Sequence, residues 1–211
     1  MSGVWEEGPM KVAVIGGTGR AGSRIVEELA RRGHQVTAIA RKPEAAPKLD
    51  GVTALAVDVH DAAAMAEALK GHDVAVSALR FLDAAPAEVI GPVKASGVPR
   101  YLVVGGASSL FAGGQRVFDS PNFPEAYKPE AGAGIAFLDA LKAEPDLDWT
   151  FLSPSAVFDG AERTGQFRLG HDDLLVAADG KSHISFPDFA IAMADEIETP
   201  RHSRQRFTVG Y

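Results

Sequence analysis

Between an apolar run at 12–15 and a helical-period run carrying Ile25, Val26, Leu29 and Ala30, the chain reads GGTGRAG over residues 16–22. Glycines at such a junction let backbone amides at a helix start face an anion with no Cβ in the way, which is what holding a dinucleotide pyrophosphate requires. Two registers satisfy the spacing: Gly17, Gly19 and Gly22 as GxGxxG, or Gly16, Gly19 and Gly22 as GxxGxxG. Spacing does not separate them, and Thr18, Arg20 and Ala21 belong to the turn in both.

What ends the second apolar run selects the cofactor. An acid there, about 20 residues past the glycines, accepts from the ribose hydroxyls of NAD, whereas arginine suits a 2′-phosphate. This chain has Arg41 and Lys42. A guanidinium grips a phosphate with two hydrogen bonds and lies against an adenine face, and Arg20 is expected to approach from the other side. NADP(H) is therefore the expected cofactor, with NAD(H) as the alternative. Asp58, followed by Val59, is placed either to accept from the adenine amino group or to cap the next helix. The fourth run ends at Ala78, Leu79 and Arg80, on the sheet edge where this arrangement binds ligands.

Those residues require a particular frame. Short, near-continuous apolar runs at 12–15, 36–40, 52–57, 74–78 and 101–104 read as parallel strands buried on both faces. Asp61 is the expected N-cap of the alanine-rich segment after it, and Gly33 and Gly71 stand where helix C-caps belong. A helix near 130–142, a strand at 149–152, a helix over 188–197 and a strand at 207–209 complete the pattern. Repeated strand–helix units predict an α/β fold with a doubly wound parallel sheet and helices on both faces.

The chain has 211 residues, which suits one domain with a small addition. Residues 10–211 are expected to form it, with 150–211 shaping a substrate-side lobe and 1–9 a tail. The 21 basic and 28 acidic residues leave a net charge of −7, which disfavours nucleic acid and anionic lipid as partners. With no cysteine, thiolate, disulfide and iron–sulfur chemistry are excluded, so redox work falls to a bound cofactor. The opening residues have neither the basic start nor the apolar stretch of a secretory signal, and no run approaches the ~18 residues of a membrane span. A cytoplasmic monomer or homodimer is expected.

Candidate catalytic groups are Ser108, Ser109 and Tyr127. An alcohol-oxidising Tyr-x-x-x-Lys pair needs lysine one helical turn after tyrosine, to lower the phenol pKa. Four residues after Tyr127 stands Ala131; Lys128 is adjacent instead, and Pro129 predicts that the helix begins after Tyr127. Hydride transfer to a flavin or similar conjugated acceptor asks less, because solvent protonates the acceptor nitrogen. Ser108 and Ser109 then serve either the carboxamide and acceptor or simply the loop. Phe111, Phe118, Phe123 and Tyr127 lie in a glycine- and proline-rich stretch suited to a lid. Pro154, Phe158, Arg163 and Thr164 follow the sixth run as substrate candidates, Arg163 for an anionic acceptor or for solvent. The histidines show no metal spacing, so no metal is expected, and no Gly-x-Ser-x-Gly elbow is present.

The motifs GGTGRAG, Arg41, Asp58-Val59, GGASSL at 105–110, and then WTFLSPSAVFDG, RTGQFR and ISFPDFA resemble the atypical short-chain dehydrogenase/reductase superfamily. Within it they are similar to the NADH-flavin reductase-like and NmrA-like NAD(P)H-binding proteins, with biliverdin reductase B a relative. The resemblance runs from Met10 almost to the end and is most specific after residue 149. It implies a Rossmann-type domain, NADP(H) across the strand edges, and a substrate over the nicotinamide, where a flavin would be substrate rather than resident cofactor. Three functions follow: a reductase of flavins, quinones or similar small molecules, an NADP(H)-sensing regulator without turnover, or an NADP-retaining epimerase or isomerase.

Overall fold

A computed structural model describes residues 8–211; the expected tail lies outside the described residues except for Gly8 and Pro9, which are exposed. The elements run β1 (Lys11–Ile15), α1 (Arg20–Arg31), β2 (Gln35–Ala40), β3 (Val52–Ala56), α2 (Ala62–Leu69), β4 (Val74–Ser77), α3 (Pro86–Ser96) and β5 (Arg100–Val104). There follow a short hairpin β6 (Phe111–Ala112) and β7 (Gln115–Arg116), then α4 (Lys128–Lys142), β8 (Asp148–Ser153), β9 (Val157–Phe158), β10 (Arg168–Gly170), β11 (His183–Ile184), α5 (Phe186–Glu198) and β12 (Gln205–Gly210).

The main sheet has eight strands in the order β10-β12-β8-β5-β4-β1-β2-β3. Every pairing in it is parallel except β10 with β12. Alternating strand residues feed two cores, as the two-residue strand period dictates. Val12, Val14, Val36, Val76 and Leu102 meet Ile25, Val26 and Leu29 of α1 and Phe189, Met193 and Ile197 of α5. Ala13, Ile15, Ala75, Tyr101 and Val103 meet Met65 of α2, Val89 and Val93 of α3, and Phe137, Leu138 and Leu141 of α4. The sheet is thus covered on both faces, the doubly wound arrangement expected from the alternation. Residues 150–211 contribute α5 to one helical layer and β12 to the sheet, paired with β8.

Two features depart from expectation. β3 is not a core strand: it is the sheet's edge, with Thr53, Ala54, Leu55 and Ala56 exposed. An apolar run does not tell an edge strand from a central one, because neighbours, not the run, decide burial. α3 carries no strong helix pattern, since Gly91 and Pro92 sit inside it. It forms because Pro86 suits the first turn, the Ala85 amide donates to Glu88 Oε2 at 2.7 Å, and Gly97 at φ 74° ends it in the left-handed region. Elsewhere local chemistry acts as expected: Asp61 accepts from the Ala64 amide at 3.0 Å, and Gly33 and Gly71 turn at φ 85° and 76° after α1 and α2.

Candidate cofactor and acceptor site

The glycine turn carries β1 into α1 at the carboxyl edge of the sheet. Gly16, at φ 80°, donates its amide to the Ile39 carbonyl at 2.8 Å, and a Cβ there would lie 2.6 Å from the Ala78 carbonyl oxygen. A Cβ on Gly22 would collide with the Gly16 carbonyl, and one on Gly17 would reach 2.9 Å from Ala38 Cβ. Gly19 differs: its nearest neighbour would be 3.5 Å away, and it opens α1 with no side-chain cap. The turn is therefore closed against its own scaffold and open toward a ligand, with uncapped helix amides beside it, as a pyrophosphate cradle requires. Gly16, Gly19 and Gly22 are the register that combines both tasks, while Gly17 packs the turn onto β2.

A cleft of about 560 Å³ opens from this turn. Gly16, Thr18, Gly19, Arg41, Asp58, Val59, Ala78, Leu79 and Arg80 line it, so the ends of β1, β2, β3 and β4 converge as the sequence predicts. Gly17, Ala21 and Gly22 lie behind the wall rather than in it. The expected convergence of three cations is not what the fold builds. Arg20 directs its guanidinium to the Phe186 ring, 5.9 Å from the centroid, and Lys42 opens a short 3-10 turn outside the lining. Arg41 and Arg80 are the lining arginines. Asp58 accepts from the His60 amide at 2.9 Å, closing its own turn, and because Asp61 caps α2 the Asp58 carboxylate is free of that duty.

Sequence reasoning missed two of the site's supports. His60 also lines the cleft and bonds Glu88 Oε1 at 3.0 Å through Nδ1; this hydrogen bond raises its pKa. Glu130, in the first turn of α4, accepts from the Phe81 amide at 2.7 Å and the Leu82 amide at 3.0 Å. Its two oxygens thereby set the loop after β4, next to Leu79 and Arg80. A lone glutamate at a helix start gives no such signal in sequence.

The second group of expected residues divides between the two faces of the sheet. On the α4 side, Ser108 Oγ donates to the Ala131 carbonyl at 3.3 Å, and Ser109 Oγ accepts from Arg206 at 2.8 Å. Ala131 is thus a neighbour of Ser108 where a short-chain dehydrogenase would have its lysine. Tyr127 is 65% exposed and immediately precedes α4, so the helix begins after it, as Pro129 implies. Phe111 is partly exposed on the hairpin, and Phe118 packs on Phe123 at 5.4 Å beneath Arg116. On the other side, Phe158 sits between Phe186 and Phe189 at 4.6 and 4.7 Å, and belongs to the α1–α5 core. Arg163 is consumed by Glu28, and Thr164 by Asp188. Pro154 is buried at the end of β8. Phe158 and Arg163 are therefore not brought to the side that holds Phe111 and Phe118, and their substrate assignment gives way to a packing role.

Among the described residues no cluster of three metal-ligating side chains occurs, and no helix is long and apolar enough to cross a membrane.

A Rossmann-type NAD(P)H-binding fold is the class this sheet and glycine turn define. The chain belongs to the NAD(P)H-binding family, whose model matches residues 16–200. It is 41% identical to the uncharacterized protein YwnB of Bacillus subtilis, over 95% of this chain and 98% of the relative. Among solved structures, a candidate epimerase from Bacteroides thetaiotaomicron is 39% identical with TM-score 0.90, covering 97% of this chain and 98% of that one. A candidate NADH-flavin reductase from Streptococcus pneumoniae is 35% identical with TM-score 0.84, covering 95% and 99%. A general NAD(P)H-linked oxidoreductase role is supported by these relationships.

Proposed function

We propose that this protein is a reductase that prefers NADPH and passes hydride to a flavin, quinone or similar conjugated small molecule. The observation that carries the reading is a dinucleotide cleft without its proton relay: Tyr127 is exposed and Ala131 occupies the position one helical turn on. Chemistry that relies on a phenol tuned by a lysine one helical turn on, such as alcohol oxidation or epimerisation through a keto intermediate, has no such pair among the described residues. A conjugated acceptor needs none, since its reduced nitrogen or oxygen is protonated by water.

When bound, NADPH would supply the hydride, and one hydride with one proton from water would convert the acceptor to its reduced form and leave NADP⁺. The chain's contribution is binding and orientation, which lower the barrier by holding reactants in place. The glycine turn holds the pyrophosphate, Arg41 pairs with the 2′-phosphate, and Ser108 and Ser109 wall the acceptor side. The same reading puts the protein in the cytoplasm, where NADPH is regenerated.

The test is steady-state NADPH oxidation with FMN, FAD, riboflavin and quinones as acceptors. Stimulation by at least one acceptor is expected, with NADH a poorer donor. No stimulation by any of them overturns the reading, and tight NADPH binding without turnover favours the sensing alternative.

A further inference from the structure

We infer that Arg206 is a positioning residue: it holds the Ser108–Ser109 corner, and with it the Phe111 hairpin, in the shape that receives the acceptor. This rests on the reductase reading above. On β12, Phe207 and Val209 enter the α1–α5 core, so the two-residue period turns Arg206 to the opposite face. There it is only 6% exposed. A guanidinium so buried must be fully engaged with partners.

Its partners come from three separate segments. Nε donates to Asp172 Oδ1 at 3.0 Å, beyond β10. Nη1 donates to Ser109 Oγ at 2.8 Å, beyond β5, and to Ser153 Oγ at 3.4 Å, at the end of β8. Nη2 donates to the Ser109 carbonyl at 3.3 Å. One planar fork therefore ties both sides of the outer sheet edge to the corner that follows β5.

The backbone around this fork is zipped in the same sense. The Phe111 amide donates to the Asp172 carbonyl at 2.9 Å, the Leu174 amide to the Phe111 carbonyl at 2.8 Å, and the Phe118 amide to the Ser108 carbonyl at 2.9 Å. Arg206 thus stands beneath the segment that carries Ser108, Ser109, Phe111 and Phe118. It does not line the cofactor cleft. Its loss should be felt by the acceptor and not by NADPH. Lysine, a single point donor, cannot span the three segments.

Arg206→Gln, Arg206→Lys and Asp172→Asn test this in the full chain. Asp172 keeps a side chain 66% exposed, so its variant separates the effect from a failure to fold. Hydrogen exchange should quicken in 106–118 and 171–174 while the rest of the sheet keeps its protection. The acceptor KM should rise by about tenfold in Arg206→Gln, with a smaller rise in Asp172→Asn and partial recovery in Arg206→Lys, and with NADPH affinity unchanged. Exchange that is unchanged, or that quickens uniformly across the chain, overturns the inference, as does an unchanged acceptor KM in an Arg206→Gln protein that still turns over. If the unmodified protein reduces no acceptor, the reductase reading fails while the exchange pattern still decides the role of Arg206.

Discussion

Arg163 donates two hydrogen bonds to Glu28, Nε to Oε2 and Nη2 to Oε1, each at 3.0 Å. Glu28 is buried on α1, and Arg32 donates to it as well, at 3.0 Å. Burial alone would raise the Glu28 carboxyl, but the hydrogen bonds from Arg163 and Arg32 outweigh it and hold the pKa below the usual glutamate value. The pair straps the segment beyond β9 onto the helix that starts at the glycine turn. Arg163→Ala should therefore lower stability by about 1–2 kcal/mol, since Arg32 at 3.0 Å and Arg31 at 3.8 Å remain as charged partners of Glu28. Acceptor KM should not move. Thermal unfolding and steady-state kinetics on the same preparation check both; a raised KM at unchanged stability returns Arg163 to the acceptor site.

Arg41 lines the cleft just past the end of β2. Arg41→Ala should weaken NADPH by about 10- to 100-fold, the value of a charge-assisted pair, and leave NADH nearly unchanged. Titration calorimetry with the two cofactors reads the ratio. Equal losses for both place Arg41 on the adenine and not on the phosphate.

Glu130 reaches the cleft through the backbone, by accepting from Phe81 and Leu82. Glu130→Ala orphans two amides beside Leu79 and Arg80 and should cost about 1–3 kcal/mol of stability. Cofactor affinity should fall with it, and Glu130→Gln, which keeps one strong acceptor, should recover part of both. Unaltered affinity in Glu130→Ala separates the loop after β4 from cofactor binding.

Asp188 gives the pH dependence. Burial raises its carboxyl, yet hydrogen bonds from Thr164, Tyr211 and the amides of Gly165 and Thr164 outweigh that and leave its pKa lowered. A carboxyl with a lowered folded pKa contributes fully above its unfolded value, near 3.9, and loses the contribution as pH falls through the folded value. Asp188→Asn should therefore lower Tm at neutral pH, and the gap to the parent protein should close as pH drops below about 4. A gap that is constant with pH shows that the loss is one of packing.

Much of the cleft at the carboxyl edge of the sheet was legible without coordinates. A glycine turn between a strand and a helix, and an arginine after the next strand, are contiguous features, and each needs only its neighbours in the chain to do its work. The capping by Asp61 and the start of α4 after Tyr127 are equally local. The segments expected to receive a substrate were legible as stretches of chain and not as an arrangement. Phe158 and Phe118 both read as pocket aromatics, yet one belongs to the α1–α5 face and the other to the α4 face.

The amino-acid sequence by itself determined the alternation of strands and helices and the glycine turn between β1 and α1, because hydrophobic period and glycine placement act over one or two turns of chain. The tertiary structure decided which charged side chains work at the site and which hold the fold together. Arg163 meets Glu28 across 135 residues and Arg206 meets Ser109 across 97. It likewise put β3 at the edge and left Arg20 with Phe186, outside the cleft lining. An arginine's type advertises a charge to be satisfied; only the packing of distant segments settles whether a carboxylate, a ring or a ligand satisfies it.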